Sequence, residues 1–321
     1  MSSNSFNNYK AFSFKLLLMG FIVLSSIQSF GQITEKNYRI YSVQMGKEVS
    51  LQLIADDMEA YDVLFFGEEH NDSVTHYLEN KMLETLYASY NEKVVLSMEM
   101  FERDVQVVMD EYLYDGIREK NFIKDARAWS NYRDYKPMVE FAKKNKLDVI
   151  CANAPGRYTN LVGRLGQEAL MGLTDESKKY FAPLPYDTAS GEYYEKLMAL
   201  TSHSAPASKD TATKKVPMMS PMGSFNLILS QSLWDATMAY SIAEYMKKYR
   251  DVKVMQVNGK FHSDNRFAIV EQLRNYNPGI RSLVISTASD EAFPNINWSE
   301  YSNSGDYIII TDPAVPRTYK D

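Results

Sequence analysis

Val63-Leu64-Phe65-Phe66-Gly67-Glu68-Glu69-His70 is the stretch that decides the fold: four large apolar or β-branched residues, a glycine, two acids and an imidazole. A strand with one solvated face alternates apolar with polar residues. An unbroken apolar run ending in a turn signal reads as a strand covered on both faces. Its polar tail then falls at the carboxyl end of the strand, where loops of an open parallel sheet converge on one crevice.

The same pattern recurs outward from this octet. Val94–Met98, Val149–Ala152, Val252–Val257, Ser282–Ser286 and Tyr307–Thr311 read as further strands, with an edge strand at Tyr38–Val43. Val74, Leu78, Met82, Leu83 and Leu86 recur at helical spacing between the first and second runs, as do Phe267, Ile269, Val270 and Leu273 between the fourth and fifth. Crossovers of this length make right-handed βαβ units. Lys47–Met58 reads as a short amphipathic helix. The fold expected is α/β, a mostly parallel central sheet flanked by helices.

Two connections are too long for simple crossovers, the second to the third strand and the third to the fourth. Helical patterns at Val105–Tyr114, Pro137–Lys144, Tyr193–Leu200 and Ser224–Tyr249 fill them, so an inserted helical cap is expected, in segments about 103–146 and 156–250. Thr201–Met222, rich in Ser, Ala, Thr, Lys and Pro and without period, reads as a loop.

Composition narrows the function. The 321 residues are 45% hydrophobic and 24% charged, an ordinary globular balance. A net charge of −6 gives no electrostatic footprint for nucleic acid. The single cysteine, Cys151, excludes Cys-rich zinc and iron–sulfur sites; in Val149-Ile150-Cys151 it reads as a buried small hydrophobe. Lys10 and Lys15 precede the apolar run Leu16–Leu24, then Ser25, Ser26, Ser29 and Gly31 follow, the order of a secretory signal cut near Gly31. Nine apolar residues cannot span a bilayer, which takes ~20 in a helix. The expected product is an exported domain, 32–321, periplasmic or secreted. With no cysteine near the cut to carry a lipid, membrane attachment is not expected.

The chemistry signal is positional. Glu68-Glu69-His70 follows the first strand, Glu99 the second, Asn153 the third, and Gly259-Lys260-Phe261-His262 the fourth. Gly three residues before His should arise roughly 0.2 times at this composition. It occurs twice, at Gly67/His70 and Gly259/His262, each time at a strand exit. Two imidazoles with one or two of Glu68, Glu69 and Glu99 make a His/carboxylate set suited to Zn, Mn, Co or Fe. The candidate ligands are His70, His262, Glu69 and Glu99, with Glu68 or Glu99 as general base if the chain is an enzyme. Each has a plainer reading: Glu68 or Glu69 as a helix N-terminal acid, Glu99 as a carboxylate buried against Arg103 or Arg157. His76, six residues after His70, is assigned a supporting role, and so is Asn153. His203 falls in the expected loop. Of 23 tyrosines, Tyr112, Tyr114, Tyr132, Tyr135 and Tyr158 fall in or near the cap. Most read as packing, although a tyrosinate can ligate ferric haem.

Taken in order, Gly67-Glu68-Glu69-His70-Asn71-Asp72 with His76, Met98-Glu99-Met100-Phe101-Glu102-Arg103-Asp104 with Gln106, Tyr135-Lys136-Pro137, Ala152-Asn153-Ala154-Pro155, Gln231-Ser232-Leu233-Trp234-Asp235-Ala236-Thr237-Met238-Ala239 and Gly259-Lys260-Phe261-His262 resemble the ChaN-like family. That group contains iron-regulated haem-binding proteins and is related to the Tiki metalloproteases and the erythromycin esterases. The resemblance implies an α/β core with a helical cap and a haem-binding role in iron or haem uptake, with a possible homodimer. In related enzymes it implies a metal site on the two Gly-x-x-His motifs and a glutamate, here His70, His262, Glu99 and the acids Glu68 and Glu69. Haem-binding members use a tyrosine as iron ligand; Tyr112, Tyr114, Tyr132 and Tyr135 are the candidates. Three functions are therefore carried forward: haem uptake, a metal-dependent hydrolase (protease or esterase), and a non-catalytic protein-binding surface on the cap.

Overall fold

The computed structural model describes residues 33–203 and 221–319, with side chains for 33–199 and 227–319. The expected signal segment lies outside the described residues. So does most of Thr201–Met222.

Eight strands form one sheet: β1 Tyr38–Ser42, β2 Lys47–Glu48, β3 Val63–Glu68, β4 Val94–Glu102, β5 Val149–Asn153, β6 Lys253–Gly259, β7 Ser282–Ser289 and β8 Tyr307–Thr311. Their order is β2-β1-β8-β7-β3-β6-β4-β5. All pairs from β8 to β5 are parallel, and only the β1 contacts are antiparallel. The helices are α1 Leu51–Asp57, α2 Ser73–Tyr90, α3 Gln106–Leu113, α4 Glu119–Asp125, α5 Tyr132–Asn145, α6 Gly156–Leu165, α7 Asp175–Lys178, α8 Gly191–His203, α9 Pro221–Lys248 and α10 Ile269–Tyr276.

Period two divides each strand between two cores. Leu64, Phe66, Leu96, Met98, Met255, Val257 and Ile285 pack against α1, α2, α3 and α5 on one face. Val63, Phe65, Val95, Ile150, Val254 and Val284 meet Met238, Ala239 and Ile242 of α9 and Ile269, Val270 and Leu273 of α10 on the other. This is why the runs carry no polar alternation. The long insertions therefore serve two ends. Met138, Val139 and Ala142 of α5 belong to the sheet layer. Tyr158 and Val162 of α6, Phe181, Tyr186 and Leu233 build a separate apolar cluster above it.

Lys47–Met58 departs from the single helix expected. Lys47 and Glu48 pair with β1, and the Val49 N–H donates to Ile40 O, which extends the hairpin. Ser50 then accepts from the Leu53 N–H, and α1 begins only there.

Strand order locates the crevice. β3 reaches β4 through α2 on one face, whereas β6 reaches β7 through α10 on the other, and β6 lies between β3 and β4. Connections diverging from adjacent strands open a gap at their carboxyl ends. There Glu68, last residue of β3, is in register with Gly259, last of β6.

Candidate functional site

The β3 exit is built around Glu68. Strand parity turns this carboxylate toward the α2/α5 face, where it is wholly buried. Its Oε1 accepts from His70 Nδ1 at 2.7 Å and from the Tyr135 hydroxyl at 2.8 Å. Its Oε2 lies 3.2 Å from His76 Nδ1. Burial opposes its charge, but His70 and His76 outweigh that and hold the carboxyl far below the usual range. Asp72 starts α2 by accepting from the Val74 and Thr75 N–H groups at 2.8 and 3.1 Å, and so fixes His76 one turn on.

The β6 exit repeats the arrangement with other parts. His262 Nδ1 lies 2.5 Å from Asp235 Oδ1, and the Tyr193 hydroxyl donates to Asp235 Oδ2 at 2.7 Å. His262 Nε2 faces Glu99 Oε1 at 3.5 Å, while Glu99 Oε2 accepts from the Gly259 N–H at 2.7 Å. Burial works against the imidazolium, yet Glu99 and Asp235 together push His262 up to about 10. Burial likewise opposes ionisation of Glu99, and His262, His70 and the Gly259 N–H reverse it, so its pKa falls. At Asp235 burial prevails and the pKa rises.

The two exits meet. A Cβ built on Gly259 would stand 2.8 Å from His70 Nε2 and 3.7 Å from Glu99 Oε2. His70 thus lies over the β6 exit beside Glu99, in the space a side chain at Gly259 would take, although the φ of Gly259, −52°, is ordinary. Both rings have Nδ1 committed to a carboxylate, which leaves Nε2 on the crevice side, the tautomer that suits a ligand or a proton carrier. His70 is 38% exposed and edge-on to Trp129; His262 is 8% exposed.

Other expectations land differently. Glu69 leaves this cluster: it stands one residue beyond β3 and pairs with Lys260 at 2.7 Å and Arg317 at 3.1 Å. Glu99 is not held by Arg103 or Arg157, which bind Ser241 with Glu244 and Asp104 instead. A register shift in β4 between Met98 and Glu102 delivers it to the crevice. Asn153 is buried and accepts from the Ala154 N–H, holding its own turn. His76 has neighbours on both nitrogens, His70 O at 3.1 Å from Nε2 and Glu79 Oε2 at 3.2 Å from Nδ1. Cys151 is buried, and burial raises its thiol pKa. The His203 side chain lies outside the described residues.

Among the described residues, the one set of three or more His, Cys, Asp or Glu with ligand atoms all within 4.8 Å of one another is Glu68, His76 and Glu79. His70, Glu99 and His262 converge more loosely.

The tyrosines separate cleanly. Tyr112 is buried, stacked on Phe122 and bonded to Glu140. Tyr132 is buried against Phe101 and Phe122. Tyr135 is committed to Glu68. Burial raises all three phenol pKa values. Tyr114 is 88% exposed.

The residues that sequence reading left without a role are Asp235, Tyr193 and Glu79. Asp235 carried a signal: it is the sole acid of α9 before Glu244. Tyr193, one of a Tyr-Tyr pair, carried none.

An α/β sheet with Gly-x-x-His at two adjacent strand exits, an acid from a third and a helical insertion above them defines a class of crevice proteins. The chain belongs to the family described as haem-binding uptake, Tiki superfamily, ChaN, which matches residues 54–273. Among solved structures it is similar to ChaN of Campylobacter jejuni, described for cofacial haem binding, with TM-score 0.65 and 16% identity over 87% of this chain and 98% of that one. It is also similar to erythromycin esterase EreC in its open conformation (TM-score 0.47, 9% identity, 87% and 99% covered). A Bacillus cereus protein follows (TM-score 0.47, 11% identity, 85% and 94% covered). Comparison with curated protein sequences gave no match.

Proposed function

We propose that this chain is an exported haem-binding protein serving haem or iron uptake, with Tyr114 as the iron ligand. Family membership supplies the class, and one observation carries the choice of residue: of the four candidate tyrosines, Tyr114 alone stands in solvent. Val107, 68% exposed and two turns earlier on α3, adds apolar surface on the same side. A porphyrin needs a flat apolar contact and a reachable donor, and this pair fits. The interior of the strand-end crevice does not, because Glu99, His262 and Asp235 are buried. Bound haem would present its iron to the phenolate oxygen. Two chains sharing haem through α3 would form a homodimer. Export rests on the Lys10 to Gly31 pattern.

Titration of the purified chain with haemin should give a Soret band that survives gel filtration, and Tyr114→Phe should shift or abolish it while His70→Ala leaves it. A band lost in His70→Ala and kept in Tyr114→Phe refutes the assignment. Export is checked by cell fractionation, with the mature N-terminus expected at residue 32.

A second reading, a metal-dependent protease or esterase, is supported by the two Nδ1–carboxylate pairs, by the shared approach of His70 and Glu99 to Gly259, and by His262 Nε2 standing 3.5 Å from Glu99. Those three residues would hold a Zn, Mn or Co ion, which would lower the pKa of a bound water. Glu68, already accepting from His70 and Tyr135, is poorly placed to serve as a base. Chelator-sensitive ester or peptide cleavage, restored by Mn and lost in His262→Ala, would support this reading; unchanged cleavage in His262→Ala would end it.

A further inference from the structure

We propose that Glu68, His76 and Glu79 bind a divalent d-block cation beneath the β3 exit, and that this ion fixes Glu68 and, through it, the orientation of His70. The site is distinct from the His70/Glu99/His262 crevice and does not depend on haem binding.

The hydrogen bonds at His76 make the case. Its Nε2 lies 3.1 Å from the backbone carbonyl of His70, a group that can only accept, so Nε2 carries the proton. Nδ1 then turns its lone pair toward Glu68 Oε2 and Glu79 Oε2, each 3.2 Å away. A lone pair between two carboxylate oxygens is repulsive unless a positive charge lies among them. A second proton on the ring supplies one charge for two acids. It also leaves Glu68 Oε2 and Glu79 Oε1 buried without a hydrogen-bond partner, in a place where both carboxylates have no exposed side-chain surface. Leaving such groups unmatched is costly.

An ion among the three answers the Nδ1 lone pair and the unmatched Glu68 Oε2. Donors ~2.1 Å from one zinc-like ion and 3.2 Å apart subtend about 100°, between octahedral and tetrahedral angles. An imidazole ligating through one nitrogen while its other N–H donates to a backbone carbonyl is the usual support of a metal-bound histidine. One nitrogen with carboxylate oxygens suits Zn, Mn or Fe(II), whereas Ca and Mg favour all-oxygen sites. Glu68 would bridge the ion through Oε2 to His70 and Tyr135 through Oε1.

The rival is a proton shared by Glu79 and Glu68, which Gln at position 79 would imitate. The test uses the full chain, stripped with EDTA and titrated with ZnCl2. Zinc per chain is measured after gel filtration, and melting temperature with and without zinc. The parent is expected to retain one zinc that His262→Ala also retains. Glu79→Gln should bind it more than about 100-fold more weakly, since changes even outside the ligand shell cost 10–100-fold. Zinc should raise the melting temperature of the parent and of His262→Ala, but not of Glu79→Gln. Equal zinc affinity in Glu79→Gln and parent, or no zinc retained by His262→Ala, overturns the proposal. A readout that needs no variant to fold is X-ray absorption of the parent at one equivalent of zinc. One imidazole per zinc is expected, and two would assign the ion to the strand exits instead.

Discussion

The two Gly-x-x-His exits end in the same relay, a tyrosine hydroxyl on a carboxylate that holds Nδ1 of a histidine, yet they assemble it from different layers. At β3 the carboxylate is Glu68, two residues before His70 on the strand itself, and the tyrosine is Tyr135 of the sheet-covering α5. At β6 the carboxylate is Asp235 of α9 and the tyrosine is Tyr193 of α8, both from the insertion between β5 and β6. His70 is therefore oriented by the sheet and its α2/α5 layer, and His262 by helices that a long connection had to bring back. The sheet-built exit is the half-exposed one; the exit built by the insertion is closed.

Truncating each carboxylate is the strongest way to break this comparison. Glu68→Ala strands three buried or half-buried partners, His70, His76 and the Tyr135 hydroxyl, and should cost ~3–5 kcal/mol, the range for removing one side of a buried ion pair. Asp235→Ala strands two, and is expected to cost ~2–3 kcal/mol as charged hydrogen bonds are lost. Urea unfolding measures both. A larger loss for Asp235→Ala would mean that the insertion, not the strand, organises the crevice.

The glycines sharpen it next. A Cβ at Gly67 would meet Lys260 Cα at 2.9 Å, Ser263 Oγ at 3.0 Å and Ile285 O at 3.1 Å, and two of these are backbone atoms that cannot step aside. Gly67→Ala should lose ~1–3 kcal/mol, the usual cost of overpacking, by the same unfolding measurement.

Legibility in the sequence follows the same division. Strands buried on both faces, their crossover helices and the paired tetrads were readable because each is a local pattern. His70 and Glu68 stand two residues apart in the sequence and are bonded in space. Glu69 looked equivalent to Glu68, and the end of β3 falls between them: Glu68 is the strand's last residue and is buried, while Glu69 beyond it pairs with Lys260 and Arg317. Asp235 and Tyr193 were hidden because their partners are distant along the chain, His262 27 residues from Asp235 and Asp235 42 residues from Tyr193, pairings no period announces. Tyr112, Tyr132 and Tyr135 resembled Tyr114 in type and neighbourhood, and burial alone tells them apart.

A graded effect comes from pH. The folded pKa of His262 is raised to about 10 from an ordinary 6.5, so the stability gained from its charge is full below about pH 6.5 and is lost as pH climbs through 10. The parent should lose at least about 1 kcal/mol more than His262→Gln between pH 7 and 10, since each unit of the raised pKa is worth about 1.4 kcal/mol. Parallel stability curves for the two proteins would contradict the closed, doubly paired state of His262.

The smallest expected change in stability is the most informative about whether the exits work together. At Gly259 the added methyl would face His70 Nε2 at 2.8 Å and His70 Cε1 at 3.0 Å, and no backbone atom comes as near. His70 is the far end of a side chain with more than a third of its surface free, so it can swing away, and the backbone at Gly259 asks for no special dihedral. Gly259→Ala should therefore cost less than about 1 kcal/mol, unlike its counterpart Gly67→Ala. The swing would nevertheless part His70 from Glu99, the charge that helps raise its pKa. Histidine titration by NMR should show the His70 pKa falling in Gly259→Ala, with His262 still held by Asp235 and little changed. An unmoved His70 would mean that the two imidazoles are neighbours by strand order alone, with no shared crevice between them.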